Sequence, residues 1–263
     1  MKTIRMIAAS AALLAVASCG DARAGAAATD TGIEQQNPEG VTVQKVDTLT
    51  LVTLKDNEGE KRMPNKLFYG QADSAKVERL SPEGSVPSSI SCFVVRTQGK
   101  NILFDTGNGA ARGGKMLERL KAAGIEPEEI DLVMLTHFHG DHIGGLVAAD
   151  SAVFPRAQVY APEEEYAAWS AMEGEGAEMA MQALAAPGHT PGHTVYQIGR
   201  IFVAGDLIHG FDLQIQDLDI CPSYDSDPKQ AAETRKRYID YIRQNELTTA
   251  GMHFPGNGVK DRL

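Results

Sequence analysis

The apolar stretch Ile130 to Leu135 runs directly into Thr136-His137-Phe138-His139-Gly140-Asp141-His142, and no other feature of the chain narrows its fold so far. A short apolar run of this kind reads as a buried strand. The histidines therefore begin where the backbone leaves a sheet. Residues two apart on an extended segment project to the same side, so His137 and His139 can grip one ion together. The chain then turns at Gly140, and Asp141 and His142 can face a second ion beside the first. Nitrogen and carboxylate donors suit zinc, with manganese, iron and cobalt as alternatives.

Each of these two sites still needs ligands from elsewhere. His189 and His253 are the remaining imidazole candidates. Asp206 follows the apolar run Ile201 to Ala204 and can place one oxygen on each metal. His193, in the doublet Pro187-Gly188-His189-Thr190-Pro191-Gly192-His193, is read as a structural neighbour of a ligand. His209 is read either as pocket wall or as uninvolved. Asp105 is read as orienting the ligand loop by hydrogen bonding. Phe138, Tyr69, Phe211 and Trp169 are candidates to line a pocket. A lone histidine is ordinarily a core or surface residue; most of the seven here sit beside Gly, Asp or Pro at expected strand ends, and that grouping argues for a site.

The rest of the chain alternates strands with helices. Val41 to Leu54 alternates apolar and polar residues, as a strand does. Lys66 to Pro87 is irregular. Ile90 to Thr97 and Asn101 to Phe104 read as strands joined at Gln98-Gly99, and Gly107 to Gly114 is a glycine-rich loop. Lys115 to Ala123 has helical spacing and stops at Gly124. Gln158 to Ala161 is a strand, and Pro162 is expected to open a helix running past Trp169. Gln182 to Ala186, Thr194 to Ile198 and Ile201 to Ala204 are strands. Asp227-Pro228 opens a helix to about Asn245, and Leu247 to Met252 closes the pattern. This order predicts a mixed α/β domain over 41–263 with its chemistry on loops at strand ends.

These motifs resemble, in kind and order, those of the metallo-β-lactamase superfamily. Thr136 to His142 is similar to its signature, and Asp105-Thr106-Gly107 to its upstream element. Gly188-His189-Thr190, Gly205-Asp206 and Met252-His253-Phe254-Pro255 follow in the family's order. The resemblance covers about Val41 to Gly258 and implies a four-layer αβ/βα sandwich with metals at one edge. It implies His137, His139 and His189 on one metal, Asp141, His142 and His253 on the other, and Asp206 as the bridge. Gly124 to Pro127, His142 to Leu146, Val153 to Pro155 and Glu164 to Trp169 look like the methyl parathion hydrolase branch, beside the acyl-homoserine-lactone lactonases. The chain departs from that branch in having 17 residues between Trp169 and Pro187 and a compressed His253-Phe254-Pro255-Gly256. Both departures bear on the substrate pocket.

The N-terminus reads as an export signal over 1–24, followed by a flexible tether over 25–40. Lys2 and Arg5 precede an apolar run, Met6 to Ala17, too short to span a bilayer. Cys19 directly after that run favours a lipoprotein signal cleaved before it; Ala22-Arg23-Ala24 offers the ordinary alternative. The expected location is the periplasm or the membrane surface of a bacterium, the membrane being reached only through a lipid at Cys19. Export would permit a disulfide between Cys92 and Cys221. The formal charge of −10 disfavours nucleic acid as a partner, although a metal cluster can overturn that average locally.

The expected activity is hydrolysis of a small ester-like substrate (a lactone, an aryl ester or a phosphotriester) by a metal-bound hydroxide, with Asp141 taking or relaying the proton. β-Lactam hydrolysis, thioester hydrolysis and iron-dependent persulfide oxidation are alternatives on the same fold. A non-catalytic metal-binding or ligand-binding lipoprotein is the alternative of a different class. No G-x-S-x-G elbow is present, so covalent serine catalysis is not expected.

Overall fold

The computed structural model describes residues 5–7, 37–70, 73–149, 151–165 and 183–263. The expectations at Cys19 and Trp169 fall outside these residues, as does most of the signal and tether. In chain order the elements are β1 (Arg5–Ile7), β2 (Val41–Val46), β3 (Leu49–Lys55), β4 (Lys61–Pro64), α1 (Ser74–Leu80), β5 (Ser85–Ser88), β6 (Ser91–Thr97), β7 (Lys100–Phe104), α2 (Met116–Ala122), β8 (Leu132–Met134) and α3 (Gly140–Ile143). They continue with β9 (Val147–Ala148), β10 (Ser151–Ala152), β11 (Gln158–Pro162), β12 (Ala183–Ala185), β13 (Thr194–Ile198), β14 (Ile201–Val203), α4 (Phe211–Gln214), α5 (Pro228–Gln244), β15 (Thr248–Ala250) and β16 (Val259–Lys260).

Two sheets carry the fold. The first has the order β1-β11-β8-β7-β6-β3-β2, and the second β12-β13-β14-β15-β16. Side-chain alternation decides the layers. Leu51, Phe93, Val95, Ile102, Phe104 and Met134 point inward and meet Tyr196, Ile201, Val203 and Ala250 of the second sheet. Their neighbours Val52, Leu54, Cys92, Val94, Leu103 and Val133 point outward and pack on Met116 and Leu120 of α2. On the far side Phe202 and Val195 pack on Tyr238 and Ile242 of α5. The chain is thus a metallo-β-lactamase-type αβ/βα sandwich of four layers. Strands buried on both faces read as unbroken apolar runs, as Cys92 to Val95 and Ile102 to Phe104 do.

Three sequence expectations need correction. Val41 to Leu54 is a hairpin, turned at Asp47 with φ 53°. Lys66 to Pro87 is not irregular: it holds α1, capped by the Asp73 side chain on Ala75 N, and β5, which pairs with β4. A helix of under two turns that buries Val77 leaves little periodicity to read. Pro162 ends β11 rather than opening a helix, which starts at Glu163. Cys92 and Cys221 are both free, because they lie in different layers, one under α2 and the other beside α5. Among the described residues no helix is long and apolar enough to cross a membrane.

The candidate ligands all leave strands at one edge of the sandwich. β7 and β8 run parallel, with Phe104 level with Met134, so Asp105 and Thr136 emerge together. β14 and β15 run parallel, with Val203 level with Ala250, so Asp206 and His253 emerge together from the second sheet. The turn between β12 and β13 brings His189 to the same end. Thr194 N donates to Thr136 O at 3.1 Å and closes the two sheets on each other there.

Candidate metal centre

Asp105 builds the floor. It holds φ 56°, a left-handed conformation uncommon for a residue with a side chain. From there its carboxylate accepts from Thr136 N at 2.8 Å and Thr136 Oγ1 at 2.9 Å, and contacts His142 Nδ1 at 2.9 Å. It is a buried orienting group, with its lone pairs spent on the loop. Gly140 to Ile143 form one helical turn, α3, where the sequence suggested only a turn. That turn brings the His142 ring to 3.9 Å from the His137 ring, between centroids, on the same side as the ligand loop.

The seven candidate ligands converge. One donor atom each from His137, His139, His189 and Asp206 lie within 4.8 Å of one another, and so do those of Asp141, His142 and His253. Asp206 sits between the groups. Its Oδ1 is 3.2 Å from His142 Nε2. Its Oδ2 is 3.3 Å from His189 Nε2, 3.2 Å from His253 Nε2 and 3.7 Å from His137 Nε2. Gly205 lets this happen: it has φ 51°, and a Cβ there would stand 2.7 Å from His193 Nε2.

The donor set fits metal. His137 Nε2, His142 Nε2 and Asp206 Oδ1 are fully buried and make no hydrogen bond. His142 Nε2 and Asp206 Oδ1 are close, yet lack the alignment a hydrogen bond needs. Buried polar atoms left without partners are costly and few in native proteins, and three in one cluster, all aimed inward, are the signature of ligands. Their ring orientations are fixed from outside. His189 Nδ1 is held by Asp225 Oδ1 at 2.8 Å, and His253 Nδ1 by Ser89 O at 2.8 Å.

Charge is arranged to match. Burial opposes the Asp206 carboxylate, but His142 and His253 outweigh it and hold its pKa well below the usual value. Burial, with His142 beside it, pushes His137 well down. Burial and then His189 lower His139. Burial would lower His142, but Asp206 and Asp105 raise it well above the usual value. His189 is likewise raised to about 9 by Asp206 and Asp225 against burial. The result is an ionised carboxylate among imidazoles.

His193 is not among the converging groups. Its Nδ1 faces Ala186 O at 2.9 Å, its Nε2 accepts from Asp206 N at 3.0 Å, and burial takes it down to about 3. His209 is in the site: its Nε2 lies 3.0 Å from Asp206 Oδ2, and its ring stacks on His253 at 5.1 Å. Two groups were invisible in the sequence. Asp225 holds His189, and Glu165 accepts from Phe138 N, Thr190 Oγ1 and Gly192 N at 2.8–3.1 Å. Asp225 sits far from the cluster in sequence with no motif around it, and Glu165 lies in the Glu164 to Trp169 tract, where the resemblance gave it no role.

A cleft of about 490 Å³ opens on the cluster, lined by Lys61, Met63, Leu67, His139, Asp141, Asp206, His209, Tyr224 and His253 among others. The aromatic wall is Tyr224. Of the residues expected there, Tyr69 hydrogen-bonds Glu78, Phe211 packs on Phe254 at 4.8 Å, and Phe138 packs into the outer core. The β4–β5 hairpin and the loop before α5 supply the walls instead.

Residues 86–182 match the family model described as Metallo-beta-lactamase superfamily. Metallo-beta-lactamase domain-containing protein 1 of Mus musculus is 30% identical over 171 residues, 62% of this chain and 61% of that protein. The chain thus spans under two thirds of that relative's length. The solved hydrolase AbOPH of the beta lactamase superfamily superposes with TM-score 0.73 at 26% identity, covering 84% of this chain and 92% of its own. AidC, a dizinc quorum-quenching lactonase, superposes with TM-score 0.72 at 24% identity over the same shares, a likeness of fold. By motif order, converging donors and sandwich architecture, this chain has the metallo-beta-lactamase fold and over residues 86–182 is similar to the metallo-beta-lactamase superfamily.

Proposed function

We propose that the chain is a hydrolase with two divalent metal ions, zinc first, acting on a small ester-like substrate: a lactone, an aryl ester or a phosphotriester. The observation that carries this reading is Asp206, a buried carboxylate with one oxygen toward His142 and the other toward His137, His189 and His253. His137, His139 and His189 would hold one ion, Asp141, His142 and His253 the other, with Asp206 shared. When bound, such ions polarise a carbonyl or phosphoryl oxygen and acidify water. The likeness to the hydrolase AbOPH supports hydrolysis as the reaction type.

The chain's own groups then divide the work. Asp141 faces His142 Nε2 at 4.0 Å and His253 Nε2 at 3.8 Å, and its side chain is 28% exposed against 4% for Asp206. Burial raises its pKa, but His142 and His253 more than offset that, so it is ionised. It is therefore the carboxylate at the cleft able to take a proton. The cluster floor, closed by Asp105 and Thr136, excludes water from the ligand nitrogens. The N-terminal segment is proposed to export the chain, anchored through Cys19.

The test is hydrolysis of a panel by metal-loaded protein: a lactone, an aryl ester, a phosphotriester and a β-lactam, beside elemental analysis. Turnover of one of the first three with close to two metals per chain is expected. Turnover of the β-lactam alone, or no bound metal, overturns the reading.

A further inference from the structure

Two cations line the cleft, Lys61 and Arg62, and of these Arg62 is already paired with Glu83. Lys61 lies on β4, and its backbone pairs with Ser88 of β5. The next residue, Ser89, holds the His253 ring through its carbonyl at 2.8 Å. The hairpin register thus sets Lys61 beside the histidine at the cluster's edge. Alternation along β4 turns Arg62 outward, where it pairs with Glu83 and Ser85 at 2.6–2.9 Å. Lys61 and Met63, on the other face, are the more buried of the β4 residues that line the cleft.

Lysines on edge strands ordinarily keep the ammonium in water. Lys61 is half-buried and, among the described residues, makes no hydrogen bond or ion pair. Burial disfavours its charge, while Asp141, Asp206 and Asp56 favour it from beyond contact distance. Those first two carboxylates are the ones assigned to the metals, so their charge is otherwise engaged once the centre is loaded. A second donor waits nearby: the Tyr224 hydroxyl, on the same cleft, has as its partner the Met63 sulfur at 3.8 Å, a weak acceptor.

We propose that Lys61 is a specificity determinant of the cleft, an ammonium that selects ester-like substrates bearing a carboxylate close to the scissile bond, with the Tyr224 hydroxyl as the second donor. This rests on the hydrolase reading above. A monoanion suits the site because it meets one unpaired ammonium and one hydroxyl, and it offsets a cation held facing a metal centre.

Two matched esters test it in metal-loaded protein: mono-4-nitrophenyl glutarate, which carries a carboxylate, and 4-nitrophenyl butyrate, which does not. The wild type is expected to prefer the glutarate ester in kcat/KM. Lys61→Met and Lys61→Gln should each cut that preference about tenfold, chiefly through KM, and Lys61→Arg should restore most of it. An unchanged preference in both neutral variants overturns the proposal. Calorimetric binding of glutaramate, which carries one carboxylate, against butyramide, which carries none, gives the same comparison without turnover. If neither ester is cleaved but calorimetric preference for the carboxylate-bearing ligand still depends on Lys61, the aryl-ester arm of the hydrolase reading fails and the carboxylate site stands. If both esters are cleaved without dependence on Lys61, the reverse holds.

Discussion

Asp225 Oδ1 lies 2.8 Å from His189 Nδ1, both side chains shut from solvent, and it fixes which ring nitrogen His189 turns toward Asp206. Behind Asp225 stands Arg235 of α5, 3.6 Å from its other oxygen. Arg235 is itself buried, donating to Leu207 O and Leu218 O at 2.7–2.8 Å. The outer helix is thus tied through a guanidinium and a carboxylate to His189, one of the candidate metal ligands.

Asp225→Asn keeps the shape and removes the charge that orients His189. Metal affinity should fall by about 10–100-fold, as for other partners that orient a ligating histidine. Competition with a chromophoric chelator measures this. Wild-type affinity in the variant would show that the His189 ring is held without Asp225.

Asp206→Asn should lose one ion or both, since its carboxylate offsets the charge of two cations. His193→Gln should keep both, because His193 meets the Asp206 backbone amide and not the cluster, and kcat/KM should drop at most about 100-fold. Metal stoichiometry separates the two. Loss of metal in the His193 variant with full occupancy in the Asp206 variant would reverse the ligand assignment.

Glu165→Ala leaves Phe138 N, Thr190 Oγ1 and Gly192 N without the carboxylate that binds them. Each buried donor so orphaned costs about 1–3 kcal/mol, so chemical unfolding should show a loss of several kcal/mol. Glu165→Gln, which keeps an acceptor oxygen, should lose less. Equal losses would place the effect in packing rather than hydrogen bonding.

In metal-free protein His189 titrates at about 9, above its unfolded value. Its contribution to stability is therefore fully present below about pH 6.5 and is lost as pH rises through about 9. Metal needs the unprotonated ring. Affinity should therefore climb toward pH 9, with His189 contributing up to about tenfold per pH unit, and this contribution should level off above it. Zinc titration in weak buffer should release protons at neutral pH. No proton release would show that His189 is already neutral there.

What the sequence by itself determined follows from local chemistry. The apolar run into His137, His139, Asp141 and His142 marks both a strand end and a ligand cluster, because strand period and donor type are properties of adjacent residues. Asp206 after Ile201 to Ala204, and the Asp-Pro start of α5, were legible for the same reason. Tertiary structure alone decided the rest. Asp225, Glu165 and Arg235 act on groups 10 to 36 residues away, and the residues beside them in the chain do not give their role. His209 and Lys61 reach the site only because β14 ends beside β15 and the β4–β5 register pairs Lys61 with Ser88, next to the residue that holds His253. The pocket aromatics went astray likewise: Tyr69 and Phe211 are apolar enough for a wall or a core, and only the packing of the layers tells which.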